Sequence, residues 1–401
     1  MRLRLPLAIV LMVLAGCSSS PPVTIDSPAT LGSFTPELAV KPQWEIRLDK
    51  GSDGYFVKLP PLLDAGRVYG SSATGDVACF DARTGARLWR TLLNTSIYAG
   101  PSEGGDVVLL GGDEDVIALN KSDGKVAWRV NVGNEVLAAP VRAGDTVIAR
   151  TVDGRIQAID VQTGNIRWRF SQEVPALSLR GISAPVISGD LVVSGFANGK
   201  VIAVSLADGT ERWEAVTAVP HGRNELERIV DVDAQLAVRG DKLFAVSYHG
   251  HLVALSMTSG QMLWSRDISS WSGSTTEDDT VYVTDDHGDL WAIATSNGAT
   301  LWKQTALHAR QLTTPAVQGD YLVVGDYDGY LHWIARDDGH IAARVRIEES
   351  DYYWPVPSDQ PVSNYTEDRG ILAVPVVAGD SVYAMDKRGV LGVFQVTQKH
   401  P

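Results

Sequence analysis

"TVIARTVDGRIQAIDVQTGNIRWRF", residues 146–170, decides the fold. Asp153-Gly154 splits two apolar runs as a two-residue hairpin of the favoured kind, and Thr163-Gly164 turns the chain again. In the last run Ile166, Trp168 and Phe170 alternate with Asn165, Arg167 and Arg169. Period two means a strand with one packed face and one wet face. Just upstream, "AAPVRA" (138–143) is a further short strand, turned by Gly144-Asp145. Four such antiparallel strands form one small sheet that cannot bury both of its faces alone. Radial stacking of sheets buries them, which is the solution of a β-propeller.

The unit recurs. Gly-x-x-x-Trp stands at 85–89, 124–128, 164–168, 209–213, 260–264 and 298–302, with tryptophans 39, 40, 45, 51 and 38 residues apart. A seventh unit keeps the turn as Gly339-His340-Ile341-Ala342-Ala343 but carries Ala343 where tryptophan is expected. An eighth is split between "GILAVPVVAGDSVYAMDKRGVLGVFQV" (370–396) and the orphan strand "PQWEIRL" (42–48) with its own Trp44. Pairing the first strand with the last three closes the ring and removes two free sheet edges. The expectation is an all-β, eight-bladed β-propeller over residues 42–397; seven blades is the alternative if the degenerate unit is incomplete. The repeated tryptophans read as wedge fillers between blades rather than as ligand platforms.

Ahead of the ring stand Arg2, Arg4 and an apolar run of 11 residues, "LPLAIVLMVLA" (5–15). That run is too short to span a bilayer, which takes about 20 residues, and it fits a secretory signal over residues 1–16. Leu14-Ala15-Gly16-Cys17 resembles the lipobox of bacterial lipoproteins. That resemblance implies cleavage before Cys17, acyl chains (a diacylglycerol thioether and an acylated amine) on it, and a mature chain facing the periplasm. Ser18 in the next position implies sorting to the outer membrane. An ordinary signal peptide that happens to contain a cysteine is the competing reading. Residues 17–41 read as a lipidated, flexible tether rich in Ser, Pro and Thr. A coil of that length reaches about 25–30 Å.

The formal charge of −13 and the absence of a long basic block exclude nucleic acid and anionic headgroups as partners. With Cys17 acylated, Cys79 has no disulfide partner and reads as a small buried apolar residue. No HExxH, GxSxG or Walker sequence occurs. "GDYDGYL" (325–331) has the outline of a calcium loop, but Asp328-Gly329 falls where the repeat has its ordinary hairpin turn. His249 and His251 straddle the same turn of another unit and would need further ligands to hold a metal. "EESDYYWPVPSDQPVSNYTEDRG" (348–370) is either a plug over one mouth of the ring or a second recognition surface.

The repeat resembles that of pyrroloquinoline-quinone dehydrogenases, a module that proteins with and without the cofactor share, so redox chemistry does not follow from it. A quinone enzyme would need calcium-ligating carboxylates and a catalytic aspartate, and the adjacent-cysteine disulfide common in that group is missing. Lipobox, tether and eight repeats together resemble the BamB family, lipoprotein subunits of the outer-membrane β-barrel assembly machinery. That resemblance implies a non-enzymatic scaffold without cofactor, docked on the POTRA region of BamA beside the rest of the assembly complex. Unfolded outer-membrane proteins are a further implied client. It places the contact on "ALSLRG" (176–181) and "ERIVDVD" (227–233), through Leu177, Leu179, Arg180, Asp231 and Asp233. Exposed leucines on a loop suit a covering partner, and Arg and Asp suit its charged rim. The alternative is that the leucines tuck under their own loop while the aspartates cap a strand.

Overall fold

The computed structural model describes residues 26–175, 177–178, 183–219, 229–232, 234–348 and 368–398. Among them, 32 strands form eight four-stranded antiparallel sheets, the eight blades of a propeller. Blades 1 to 7 each use four consecutive strands, and blade 3 has them at Val141–Ala143, Thr146–Arg150, Arg155–Asp160 and Ile166–Ser171. Blade 8 takes its three inner strands from Val376–Ala378, Ser381–Met385 and Val390–Gln398, and its outermost strand from Leu38–Arg47. The ring is thus closed by the N-terminal strand, as expected, and the seventh unit is a full blade, Ala316 to Arg346.

The tryptophan repeat acts between blades. Each of Trp44, Trp89, Trp128, Trp168, Trp213, Trp264 and Trp302 stands on the outer strand of its blade. Each indole N–H donates, over 2.7–3.1 Å, to a backbone carbonyl at the last turn of the next blade. The same ring lies over the motif glycine of that next turn: a Cβ on Gly124 would meet the Trp89 ring at 2.5 Å. Gly124 also has φ of +74°, which a residue with a Cβ adopts only with strain. One motif therefore supplies both halves of a staple, the glycine gripped by the preceding blade and the tryptophan gripping the following one. Opposite these tryptophans on the neighbouring strand stand small residues such as Ala158, Ala203 and Cys79. Cys79 is fully buried, and burial pushes its thiol up to about 11.

The N-terminal boundary differs from the expected one. The outer strand of blade 8 begins at Leu38, with Pro42 at an irregularity in its pairing, where a missing N–H is tolerated on an outermost strand. Residues 26–37, expected to belong to a free tether, lie against blades 6 and 7. Ala29 N–H donates to the His308 carbonyl at 2.9 Å and Glu37 N–H to that of Ala342 at 2.8 Å. Leu31 packs on the buried cluster around Leu307 and Leu312, and the Arg344 guanidinium sits 5.1 Å from the Phe34 ring centre. Two apolar side chains in a polar stretch have no periodicity to betray them, but they suffice to seat it.

Candidate docking surface

Antiparallel order puts two kinds of segment on one face of the ring: the connections between blades and the turns between second and third strands. They are laced together. A turn N–H of one blade donates to a carbonyl of the connection that precedes it in Ala73–Gly51, Val152–Glu135, Tyr248–Asp231, Asp286–Ser269, Tyr327–Arg310 and Lys387–Gly370, at 2.7–3.1 Å. This lattice satisfies the backbone of long connections that would otherwise be costly to bury.

Blade 4 stands between the two connections that the sequence singles out. Its turn, Phe196–Gly199, touches both. Asn198 donates its side-chain amide to the Glu173 carbonyl at 2.9 Å and pairs with Val230 in an isolated bridge, while Val232 N–H donates to the Phe196 carbonyl. Leu177 projects from the first connection with 46% of its surface exposed, and Val219 opens the second with 68% exposed. Exposed apolar side chains on two connections that meet one ordered turn are features that a partner can cover.

Asp231 is placed otherwise than expected. It is 1% exposed, and its carbonyl is one of the rungs just described, accepting from Tyr248 at 3.0 Å. Val230, Val232, Ala234 and Leu236 around it are buried too. Its carboxylate is buried in this structure rather than exposed at the rim, and its backbone carbonyl seats the connection. Nothing in the spacing of "DVD" distinguishes those two uses. Leu179, Arg180, Asp233 and Cys17 lie outside the described residues, as does most of the 348–370 stretch. What does cross the mouth of the ring is the connection ahead of blade 1: Phe56 packs on Trp271 of the blade 5–6 connection at 5.9 Å, with Lys58 5.8 Å from the same ring.

The calcium-like stretch is structural. The Asp326 carboxylate is fully buried and accepts from the backbone of Asp328 and Tyr330, from Arg310 Nε at 2.7 Å and from His332 Nε2 at 3.0 Å. Arg344 Nε donates to His332 Nδ1, so His332 is the tautomer that carries its proton on Nε2, and burial holds its pKa below the usual histidine value. Burial works against the charge on Asp326, but the His332 hydrogen bond and the charges beside it outweigh that and hold its pKa low. His251 faces Asp267 at 3.8 Å, and His249 stacks on Tyr248. Among the described residues two clusters have three metal-ligating side chains, Asp26 with His287 and His308, and Asp337 with Asp338 and His340. The first lies on the blade 6 turn and the connection to blade 7, the second at the last turn of blade 7.

These features define a class: a propeller of the repeat type found in quinone dehydrogenases, with apolar side chains offered on its connection face. The fold likeness is direct, since a quinohemoprotein alcohol dehydrogenase from Pseudomonas putida HK5 superposes with a TM-score of 0.69 at 13% identity, over 90% of this chain and 77% of that one. The family is narrower than the fold. The family model described as outer membrane protein assembly factor BamB matches residues 73–304. The BamB of Pseudomonas aeruginosa is 35% identical over 97% of each chain. The crystal structure of BamB from Moraxella catarrhalis superposes with a TM-score of 0.77 at 26% identity, covering 89% of this chain and all of that one. The chain belongs to the BamB family of outer-membrane protein assembly factors.

Proposed function

We propose that this chain is a non-enzymatic scaffold lipoprotein of the outer-membrane β-barrel assembly complex. It docks on the periplasmic POTRA region of BamA and is held at the inner face of the outer membrane by acyl chains on Cys17. Several acyl chains together anchor a protein stably where one would not. The single observation that supports the docking site is the meeting of the two long connections at the blade 4 turn, with Leu177 exposed on one of them and Val219 on the other. Leu179 and Arg180 are the further contact residues in this reading, Leu179 as an apolar anchor and Arg180 as a charge-assisted donor to a carboxylate. Asp233 is retained as an acceptor at the rim, and Asp231 is assigned to holding the loop.

The test is co-purification with BamA from solubilised membranes after Leu179→Asp and after Arg180→Glu. Loss of BamA from both eluates is expected; wild-type recovery with both variants would move the site elsewhere. A Cys17→Ser variant tests the anchor separately and is expected to incorporate no labelled fatty acid, whereas the native chain does.

A further inference from the structure

The segment leading into the ring passes a pair of histidines. His287 sits in the turn between the second and third strands of blade 6, and His308 in the connection from blade 6 to blade 7. Their rings stack at 5.9 Å and 14°. Asp26 reaches both: its Oδ2 is 3.3 Å from His308 Nε2 and 3.8 Å from His287 Nδ1. The backbone beside it is fixed, because Ala29 N–H donates to the His308 carbonyl and Arg310 Nη1 to the Ala29 carbonyl.

A buried carboxylate sets the chemistry of this cluster. Asp289 is 4% exposed, held by Lys303 Nζ at 2.6 Å, and its Oδ1 lies 3.0 Å from His308 Nδ1. A carboxylate only accepts, so Nδ1 carries a proton, and in the neutral ring the Nε2 lone pair faces Asp26 and His287. The 3.3 Å contact with Asp26 is closed either by a second proton on the ring or by a metal cation held between Nε2 and the carboxylate. Orientation of a ligating imidazole by a carboxylate on its other nitrogen is the usual outer shell of a metal site. A tetrahedral ion with bonds of about 2.0–2.1 Å sets its ligand atoms about 3.3 Å apart. Two imidazoles and a carboxylate suit Zn²⁺ and its neighbours in the first transition row.

We propose that Asp26, His287 and His308 form a Zn²⁺ site, with Asp289 orienting His308 and water completing the shell. The ion clips the N-terminal segment to the connection face of blade 6. Only eight residues, 18–25, then lie between Cys17 and the clip, fewer than in a tether that runs free to residue 41. The site itself does not depend on the lipid.

Titration of the detergent-solubilised full chain with Co²⁺ reads the site through the intense visible d–d absorption of a four-coordinate ion, with Zn²⁺ as competitor. One saturable site is expected, displaced by Zn²⁺, and absent in both His287→Ala and His308→Ala. Asp289→Asn is expected to weaken binding about 10–100-fold without removing it. His251→Ala is the control and leaves the titration unchanged. Hydrogen exchange at the Ala29 amide is expected to slow when Zn²⁺ is added. Absence of the bands, their survival in both histidine variants, or an Ala29 exchange rate indifferent to Zn²⁺ would each overturn the proposal.

Discussion

Trp333 stands directly opposite Ala343 in blade 7, the reverse of the pairing in blade 3, where Ala158 on the third strand faces Trp168 on the outer one. The large residue has changed strands. The cause lies in the next blade. Blade 8 has no turn between its third and outer strands, because Val390–Gln398 and Leu38–Arg47 come from opposite ends of the sequence and are not consecutive. An outer-strand tryptophan in blade 7 would have no glycine turn to cover. Trp333 instead fills the volume from inside, fully buried, and donates its indole N–H to Gln318 Oε1 at 2.7 Å. Trp333→Ala is expected to cost about 3–5 kcal/mol in denaturant unfolding. Adding Ala343→Trp should recover only part of that, since the ring regains a neighbouring strand but no turn.

The staple can be separated from backbone strain by two glycines. Gly124 and Gly144 both have positive φ, but a Cβ on Gly144 would meet nothing within 4 Å, whereas one on Gly124 would strike Trp89. Gly144→Ala is expected to cost about 1 kcal/mol from its backbone alone. Gly124→Ala should cost about 1–3 kcal/mol more, from overpacking. Equal unfolding midpoints for the two variants would mean that the inter-blade contact contributes nothing.

Asp326 is the hub of a buried polar cluster, ion-paired with Arg310 and hydrogen-bonded to the neutral His332, whose side chains are 5% and 0% exposed. Asp326→Ala leaves a guanidinium buried without its carboxylate, a loss expected near 3–5 kcal/mol. Calcium is expected to leave the melting temperature of the native chain unmoved, because that carboxylate is already fully used. A calcium-dependent rise would restore the calcium-loop reading.

His340 gives the N-terminal segment a pH dependence. Its Nε2 is 2.9 Å from Glu37 Oε1 and its Nδ1 2.6 Å from Asp338 Oδ1, with Asp337 adjacent. Burial pulls its pKa down, but hydrogen bonds to Asp338 and Glu37 outweigh it and the net shift is upward. A raised folded-state value means that the contribution is complete below the ordinary histidine value of about 6.5 and fades as pH rises through the folded one. The Glu37 amide, which donates to Ala342, should therefore exchange faster at pH 8.5 than at pH 6 after correction for intrinsic rate. His340→Gln should flatten that difference.

The ring was legible because its repeat is dense: turn glycines, period-two strands and tryptophans recur often enough to count blades, including the one that Ala343 disguises. The seating of residues 26–37 was not, since Leu31 and Phe34 follow no period and their partners are hundreds of residues away. The same holds for the metal cluster, where Asp26 and His308 are 282 positions apart and each reads alone as a polar loop residue. Of the proposed docking residues, Leu177 is exposed, in keeping with its loop position. Asp231 was ambiguous because an aspartate that seats a connection and one that meets a partner share the same neighbours in sequence.

Docking through the blade 4 connections is tested most directly by a photo-crosslinking residue placed in turn at Leu177, Val219, Leu88 and Leu301 in cells. All four side chains are exposed, at 46%, 68%, 50% and 56%, but the last two lie on outer strands of blades 1 and 6. Adducts with the POTRA region of BamA are expected from positions 177 and 219 and not from 88 or 301. Adducts from the outer strands with none from 177 or 219 would contradict the assignment.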